Sequence, residues 1–257
     1  LKERLDKILV SKGLVKSRET AKALIMEGKV FVDGEKVTKA GAMLPVTSNI
    51  YVKEPELPYV SRGGLKIEAA LDFFTIEVKA KVIMDVGSST GGFTDCLLKR
   101  GAVKIYCVDV GYGQLSWSLR KDPRVIPMER TNIRYLDKRI ESRESKFMGQ
   151  EFSDLIKGKI DMAVIDVSFI SLTKVVPAVL KFLKDEAEIL ALVKPQFEVG
   201  KGEVGKGGIV KDEEKRIHAV QSVQRDLENL GLITVGVFQS PISGQKGNIE
   251  YFLYMKR

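Results

Sequence analysis

The stretch "KVIMDVGSSTGGFTDCLLKRG", Lys81 to Gly101, reads as a short buried strand that runs into a glycine-rich turn and then into a helix. Its first part, "KVIMDVG", is an apolar run of strand length. Gly87, Gly91 and Gly92 then leave the backbone bare where helix amides point outward, a place for a ligand to come close. Working outward, "KIYCVDVG" (104–111), "VIPM" (125–128), "DMAVIDVS" (161–168) and "EILALVK" (188–194) predict further strands. Helical segments separate them, one of them capped by Ser171. A helix over 212–230 presents Ile217, Val220, Val223, Leu227 and Leu230 on one face and stops at Gly231. "LITVGVFQS" and "NIEYFLYMK" follow as a closing strand pair. Strand-helix alternation of this kind predicts an α/β fold, a doubly wound, mostly parallel Rossmann-like sheet.

Ahead of it the pattern differs. Leu5, Ile8 and Leu9 recur at helical spacing up to Gly13, and Ser17 is placed to cap "RETAKALIMEG". "KVFV", the Asp33-Gly34 turn and "EKV" form a hairpin signal, with "NIYV" as another strand. A small α+β domain over 1–57 is expected, joined through the proline-containing "KEPELP" (53–58) to a larger domain over 58–257.

Composition narrows the function. The chain of 257 residues is 44% hydrophobic and 30% charged, with a formal net charge of +8. Residues 1–53 hold eleven Lys or Arg against six Asp or Glu, which favours a polyanionic partner. No apolar run reaches the roughly 20 residues that cross a bilayer, and "LKERLDKILVSKG" lacks a signal peptide's apolar centre, so a cytoplasmic location is expected. Two scattered cysteines, Cys96 and Cys107, read as core packing rather than as a disulfide or zinc framework. The one histidine, His218, falls in a helix and leaves little material for Ser-His or His-metal chemistry, so no metal is expected.

The loop at 85–93 departs from the Gly-x-Gly-x-x-Gly dinucleotide pattern, which argues against NAD. Asp109, at the tip of the second strand, is placed to accept hydrogen bonds from a ribose diol. "GKGEVGKG" (200–207) imitates a P-loop, but Gly207 stands where Ser or Thr must bind magnesium. It is read as a loop beside the site that offers Lys201 and Lys206 to phosphates. "ILALVKPQFE" (189–198) ends a buried strand in a lysine, which is either a solvated tip or a group delivered to the rim. Asp85, Asp109, Asp166 and Lys194 all lie at or near strand ends, so a parallel sheet gathers them along one edge.

"YVSRGGLK", "DVGSSTGGFTD", "VDVGYGQL", "DVSFISL", "LVKPQFE" and "GNIEYF", in this order behind the basic N-terminal module, resemble the TlyA family of ribosomal RNA methyltransferases, relatives of FtsJ. The N-terminal "RLDKILVSKGLVKSRETAKALIMEGKVFVDGEKV" is similar to the small RNA-binding domain shared by a ribosomal small-subunit protein and pseudouridine synthases. The resemblance implies S-adenosylmethionine as methyl donor and a ribose 2′-hydroxyl of ribosomal RNA, naked or in ribosomal subunits, as acceptor. It implies a catalytic tetrad of Lys66, Asp166, Lys194 and Glu250. The cofactor loop falls on Asp85, Gly87, Ser88, Gly91, Gly92 and Phe93, with Asp109 for the ribose and Asn132 near the adenine. FtsJ carries alanines and a proline where this loop reads Ser88-Ser89-Thr90. The chain stops at "YFLYMKR", where some members have a further helix, and the resemblance associates the shorter form with large-subunit RNA alone.

Such chemistry suits the residue types: a poor hydroxyl nucleophile must be aligned with an activated methyl and relieved of one proton. Lys194 either takes that proton or steers the oxygen's lone pair. Lys16, Arg18, Lys22 and Lys29 cluster around the second helix as candidate phosphate contacts. Two rival readings stand beside this one. A non-catalytic RNA-binding or ribosome-assembly factor would not need all four tetrad types together. A membrane-active protein is suggested by the name haemolysin that family members have carried, although the chain has no spanning segment or barrel pattern to support pore formation.

Overall fold

The computed structural model describes residues 1–15, 17–53, 57–136, 156–200, 202–205 and 207–257, which divide into two units, Leu1–Leu57 and Pro58–Arg257. The first contains Lys2–Arg4 (β1), Leu5–Ser11 (α1), Arg18–Met26 (α2), Val30–Val32 (β2), Glu35–Lys36 (β3), Met43–Pro45 (β4) and Ile50–Val52 (β5). Ser17 caps α2 by accepting a hydrogen bond from the Thr20 amide at 3.2 Å. Asp33 and Gly34, at φ 52° and 89°, make the tight turn that the Asp-Gly pair predicts, so β2 pairs with β3 on one side and β5 on the other. Leu5, Leu9, Ala21, Ile25 and Val30 form its core. The β1–β4 pair was not legible as strands, since each is three residues long without a buried stripe. Residues 54–56 of the expected connector lie outside the described residues.

The second unit contains Gly63–Phe73 (α3), Val82–Val86 (β6), Gly92–Lys99 (α4), Lys104–Val108 (β7), Trp117–Arg120 (α5), Val125–Met128 (β8) and Ile160–Ile165 (β9). Val176–Val179 (α6), Leu183–Val193 (β10), Pro195–Glu198 (α7), Glu213–Glu228 (α8), Ile233–Gln239 (β11) and Tyr251–Lys256 (β12) complete it. Its seven strands are ordered β11-β12-β10-β9-β6-β7-β8. Neighbours pair in parallel from β10 through β8, while β12 runs antiparallel to both β10 and β11. The chain steps outward from β6 to β7 and β8, then returns to the other side of β6 with β9 and β10. That reversal opens a crevice above the carboxyl ends of β6 and β9. Apolar clusters pack on both faces, one around Phe182 and Leu253 and the other around Ile83, Leu97 and Phe252. Cys96 and Cys107 are free thiols within the core.

Two local features differ from the pattern reading. The helix after β9 is a single 3-10 turn, Leu172–Lys174, capped by Ser171, followed by the four-residue α6. In α8 the buried face is Arg216, Ala219, Val220, Val223 and Leu227, while Ile217 and Leu230 are exposed. The Arg216 guanidinium donates to the carbonyls of Val210 (3.2 Å) and Lys211 (2.6 Å) beneath the preceding loop, which turns the helix by one position.

Candidate active site

The loop after β6 is shaped by close approach. Gly87 has φ 85°, and a Cβ there would collide with the carbonyl oxygen of Asp166. Gly91 caps α4 in the left-handed conformation, and a Cβ there would strike the Leu119 and Leu115 side chains. A Cβ on Gly92 would strike Ser61. The Asp109 carboxylate accepts from the amides of Ser89 (2.8 Å) and Gly111 (2.7 Å), so it is oriented before any ligand arrives.

Two cavities meet over this loop. The larger, about 610 Å³, is lined by Val108, Asp109, Gln114, Asn132, Ile133 and Val167 among others. The smaller, about 250 Å³, is lined by Ser61, Lys66, Asp85, Ser88, Phe93 and Gly244 among others. Gly87, Ser89 and Asp166 belong to both walls, so the floor is continuous where the cavities adjoin. Asp85 is 1% exposed; Oδ2 accepts from Thr94 Oγ1 at 2.6 Å, while Oδ1 has no hydrogen-bond partner. Burial pushes this carboxyl up to about 7, opposed by the Thr94 hydroxyl and reinforced by the charges of Asp166 and Asp109. A buried acceptor without a partner, opening on a cavity, is suited to a donor or cation carried by a ligand.

The four residues expected to form a tetrad are brought to the same rim. Lys66 on α3 donates to Glu250 Oε2 at 2.6 Å. Lys194 Nζ stands 2.6 Å from Asp166 Oδ1, an ion pair without a directed hydrogen bond, and donates to Ser168 Oγ at 3.0 Å. The Lys66 and Lys194 side chains are each 12% exposed, so both cations are largely withdrawn from water beside an anion. Because β12 runs against its neighbours, Glu250, just before it, reaches the edge to which the parallel strands deliver Asp166 and Lys194. The lysine that ends the apolar strand is thus at the rim and paired, not a solvated tip.

The remaining candidates are less uniform. Asn132 lines the larger cavity, but its side-chain oxygen accepts from the Arg134 amide at 3.1 Å and caps its own turn. In the first unit Arg18 donates to the fully buried Asp6 at 2.8 Å, alongside Arg4, so its guanidinium is tied to the fold. Lys29 pairs with Glu27 at 2.5 Å, and Lys22 is exposed. Lys16, Lys201 and Lys206 lie outside the described residues. His218 is exposed on α8 and lines a separate cavity.

Several site residues escaped the sequence reading. Thr94 follows the glycine turn by two residues and is the partner of Asp85. Gly244 closes the smaller cavity, and a Cβ there would enter the Glu250 carboxylate. Phe169 is 87% exposed at φ 64°, lines the larger cavity and packs its ring 4.9 Å from Phe197. An aromatic residue three positions after the strand-end Asp166 was the available signal.

A doubly wound sheet with one reversed strand, a glycine-bounded donor crevice and charged pairs at its rim define a Rossmann-like methyltransferase. The FtsJ-like methyltransferase model matches residues 59–257 and the S4 domain model residues 3–49. A Mycobacterium tuberculosis relative named 16S/23S rRNA (cytidine-2′-O)-methyltransferase TlyA is 46% identical over 98% of this chain and 89% of its own length. Hemolysin A of Brachyspira hyodysenteriae is 42% identical over 98% of both chains. A solved hemolysin-named chain from Streptococcus thermophilus superposes with a TM-score of 0.72 and 39% identity, over 100% of this chain and 88% of that one. The chain belongs to the TlyA family, an FtsJ-like methyltransferase domain behind an S4 domain.

Proposed function

We propose that the chain transfers a methyl group from S-adenosylmethionine to a ribose 2′-hydroxyl of ribosomal RNA. The observation that carries this reading is that Lys66 and Asp166, one member from each of two lysine-carboxylate pairs at 2.6 Å, line the cavity that adjoins the larger crevice across Asp166. When bound, S-adenosylmethionine supplies a methyl already activated on a sulfonium. Asp109 suits the cofactor's ribose diol, and the bare backbone at Gly87 and Gly91 leaves room for its close approach. Asp85 Oδ1 suits its ammonium, with Ser88, Gly92 and Phe93 completing that wall and Asn132 bounding the larger cavity.

In this reading Lys194 contacts the acceptor hydroxyl, Asp166 and Glu250 orient it, and Lys66 raises the local positive potential as the oxygen loses its proton. Alignment supplies most of the rate, since the methyl needs no further activation. Phe169, exposed and next in sequence to the Ser168 that accepts from Lys194, offers a flat surface for a base next to the reacting ribose. The S4 unit serves as reader of RNA shape through phosphate contacts, Lys22 among them. The name of the Mycobacterium tuberculosis relative, an rRNA (cytidine-2′-O)-methyltransferase, supports the same substrate class. Among the described residues no helix is long and apolar enough to cross a membrane.

The test is transfer of a labelled methyl from S-adenosylmethionine to each purified ribosomal subunit and to naked ribosomal RNA, with Lys194→Ala alongside. Alkali-resistant labelled dinucleotides that vanish with the substitution are expected. Cofactor binding without label on any of these RNAs would refute the acceptor. A single-turnover pH-rate profile that stays flat above neutrality would exclude Lys194 as the base.

A further inference from the structure

Glu250 is set by a buried amide two residues before it. Asn248 is 4% exposed, and its side chain bonds to backbone: Nδ2 donates to Gly208 O at 2.9 Å, and Oδ1 accepts from Val210 N at 3.2 Å. Its carbonyl accepts from Gly244 N at 2.8 Å, closing the turn that brings Gly244 against the Glu250 carboxylate. Arg216 holds Val210 from the other side through its carbonyl. The glycine-rich loop before α8, read from sequence as a P-loop imitation lying beside the site, is therefore fastened through this side chain to the segment that carries Glu250. A surface turn does not require such a fixture: a side-chain amide is withdrawn from water, with an orphaned amide and carbonyl as the cost of its removal. What it secures is the position of Gly244, the wall that leaves the Glu250 carboxylate 3% exposed and facing Lys66.

We propose that Asn248 is a positioning residue for methyl transfer: by tying Gly208 and Val210 to the 244–248 turn, it fixes the Lys66–Glu250 pair in the geometry the acceptor meets. The inference rests on the proposed methyltransferase reading for its catalytic consequence but not for its structural content. With the tether cut, the turn is free to draw back from Glu250, water reaches the carboxylate, and the pair loosens. The larger cavity, which holds Asp109 and Asn132, has no wall in this turn.

The experiment compares the full chain with Asn248→Ala, Asn248→Asp and Glu250→Gln. The first readout is the acylation rate of Lys66 by an amine-reactive reagent, measured by mass spectrometry against exposed Lys79 in the same molecule. Glu250→Gln sets the rate for an unpaired Lys66. Asn248→Ala is expected to raise Lys66 labelling several-fold toward that level. Displacements near 1 Å can cost about a hundredfold in rate, so a partial retreat is expected to lower kcat for methyl transfer about tenfold with KM for RNA unchanged.

Asn248→Asp keeps an acceptor for Val210 N but opposes a carboxylate to the Gly208 carbonyl. It is expected to expose Lys66 at pH 8 and to regain protection near pH 5.5, where the protonated acid again donates. Should Asn248→Ala not fold, this pH-dependent rescue carries the decision. Lys66 labelling at the wild-type rate in the folded variants would overturn the proposal, as would a loss of kcat in strict proportion to lost thermal stability. Deprotection of Lys66 in a chain that methylates no ribosomal RNA would uphold the tether and refute the acceptor instead.

Discussion

Replacing Asp85 by Asn is expected to stabilise the second unit, by an amount that grows as pH rises from about 4 to about 7 and then levels off. The wild-type carboxyl is driven from the ordinary 3.8 to about 7 by burial, with Thr94 supplying its one hydrogen bond. At about 1.4 kcal/mol per pH unit, the folded chain holds the ionised form about 4 kcal/mol less favourably than water does. The sign follows from proton binding. Between about pH 4 and 7 the unfolded chain has released a proton that the folded chain still keeps, so the contribution of Asp85 to stability falls as pH rises and levels off above 7. Asn is neutral throughout and keeps an oxygen for the Thr94 hydroxyl. The advantage of the variant should rise from about 1 kcal/mol near pH 4.5 to about 4 kcal/mol at pH 8. The single tryptophan, Trp117, lies in this unit, so denaturant titrations followed by its fluorescence report on it alone. The same variant should bind S-adenosylmethionine more weakly, since a ligand ammonium would lose its carboxylate. A stability difference constant from pH 4.5 to 8 would refute the reasoning.

Gly87→Ala should reduce cofactor affinity by at least about tenfold, because the added carbon meets backbone at Asp166 and not a side chain that can yield; calorimetric titration checks it. Asp6→Ala should destabilise the first unit by about 1–3 kcal/mol, since the half-exposed Arg4 and Arg18 lose the carboxylate that holds them, and amide exchange across β2 and β5 would show it. The two arginines keep the Asp6 carboxyl well below the ordinary carboxylate range, so its contribution is complete above pH 4 and disappears only in stronger acid. Lys22→Gln, made without touching Arg18, should flatten the salt dependence of RNA affinity by about 0.7–0.9 in logarithmic slope; an unchanged slope would remove Lys22 from the RNA surface.

The parallel sheet was legible because its strands are buried on both faces and read as unbroken apolar runs with site residues at their ends. Asp85, Asp109, Asp166 and Lys194 needed only that geometry, whereas Lys66 and Glu250 entered through the family resemblance. What pattern could not supply were the partners. Arg18 reads as a surface cation until Asp6, twelve residues away, is seen buried beneath it. Ile217 reads as core until Arg216 is required under the loop at 210–211. Asn248 and Gly208 are forty residues apart, and no periodicity connects an amide to a carbonyl across that span. Loops fold by such contacts, so their roles appear only in three dimensions.

The placement of β12 also bears on when the protein becomes competent. β12 follows β11 in the chain yet lies inside it in the sheet, so β11 has no neighbour to pair with until β12 has been made. Lys66 and Glu250 are 184 residues apart in the chain, against 28 for Asp166 and Lys194. Bringing the distant pair together costs roughly 1.7 kcal/mol more chain entropy by loop-closure scaling. During synthesis the near pair and the donor loop can take shape while the far pair cannot. A chain still emerging from the ribosome would carry the near pair without the Lys66–Glu250 pair, which waits on the last strand of the sheet.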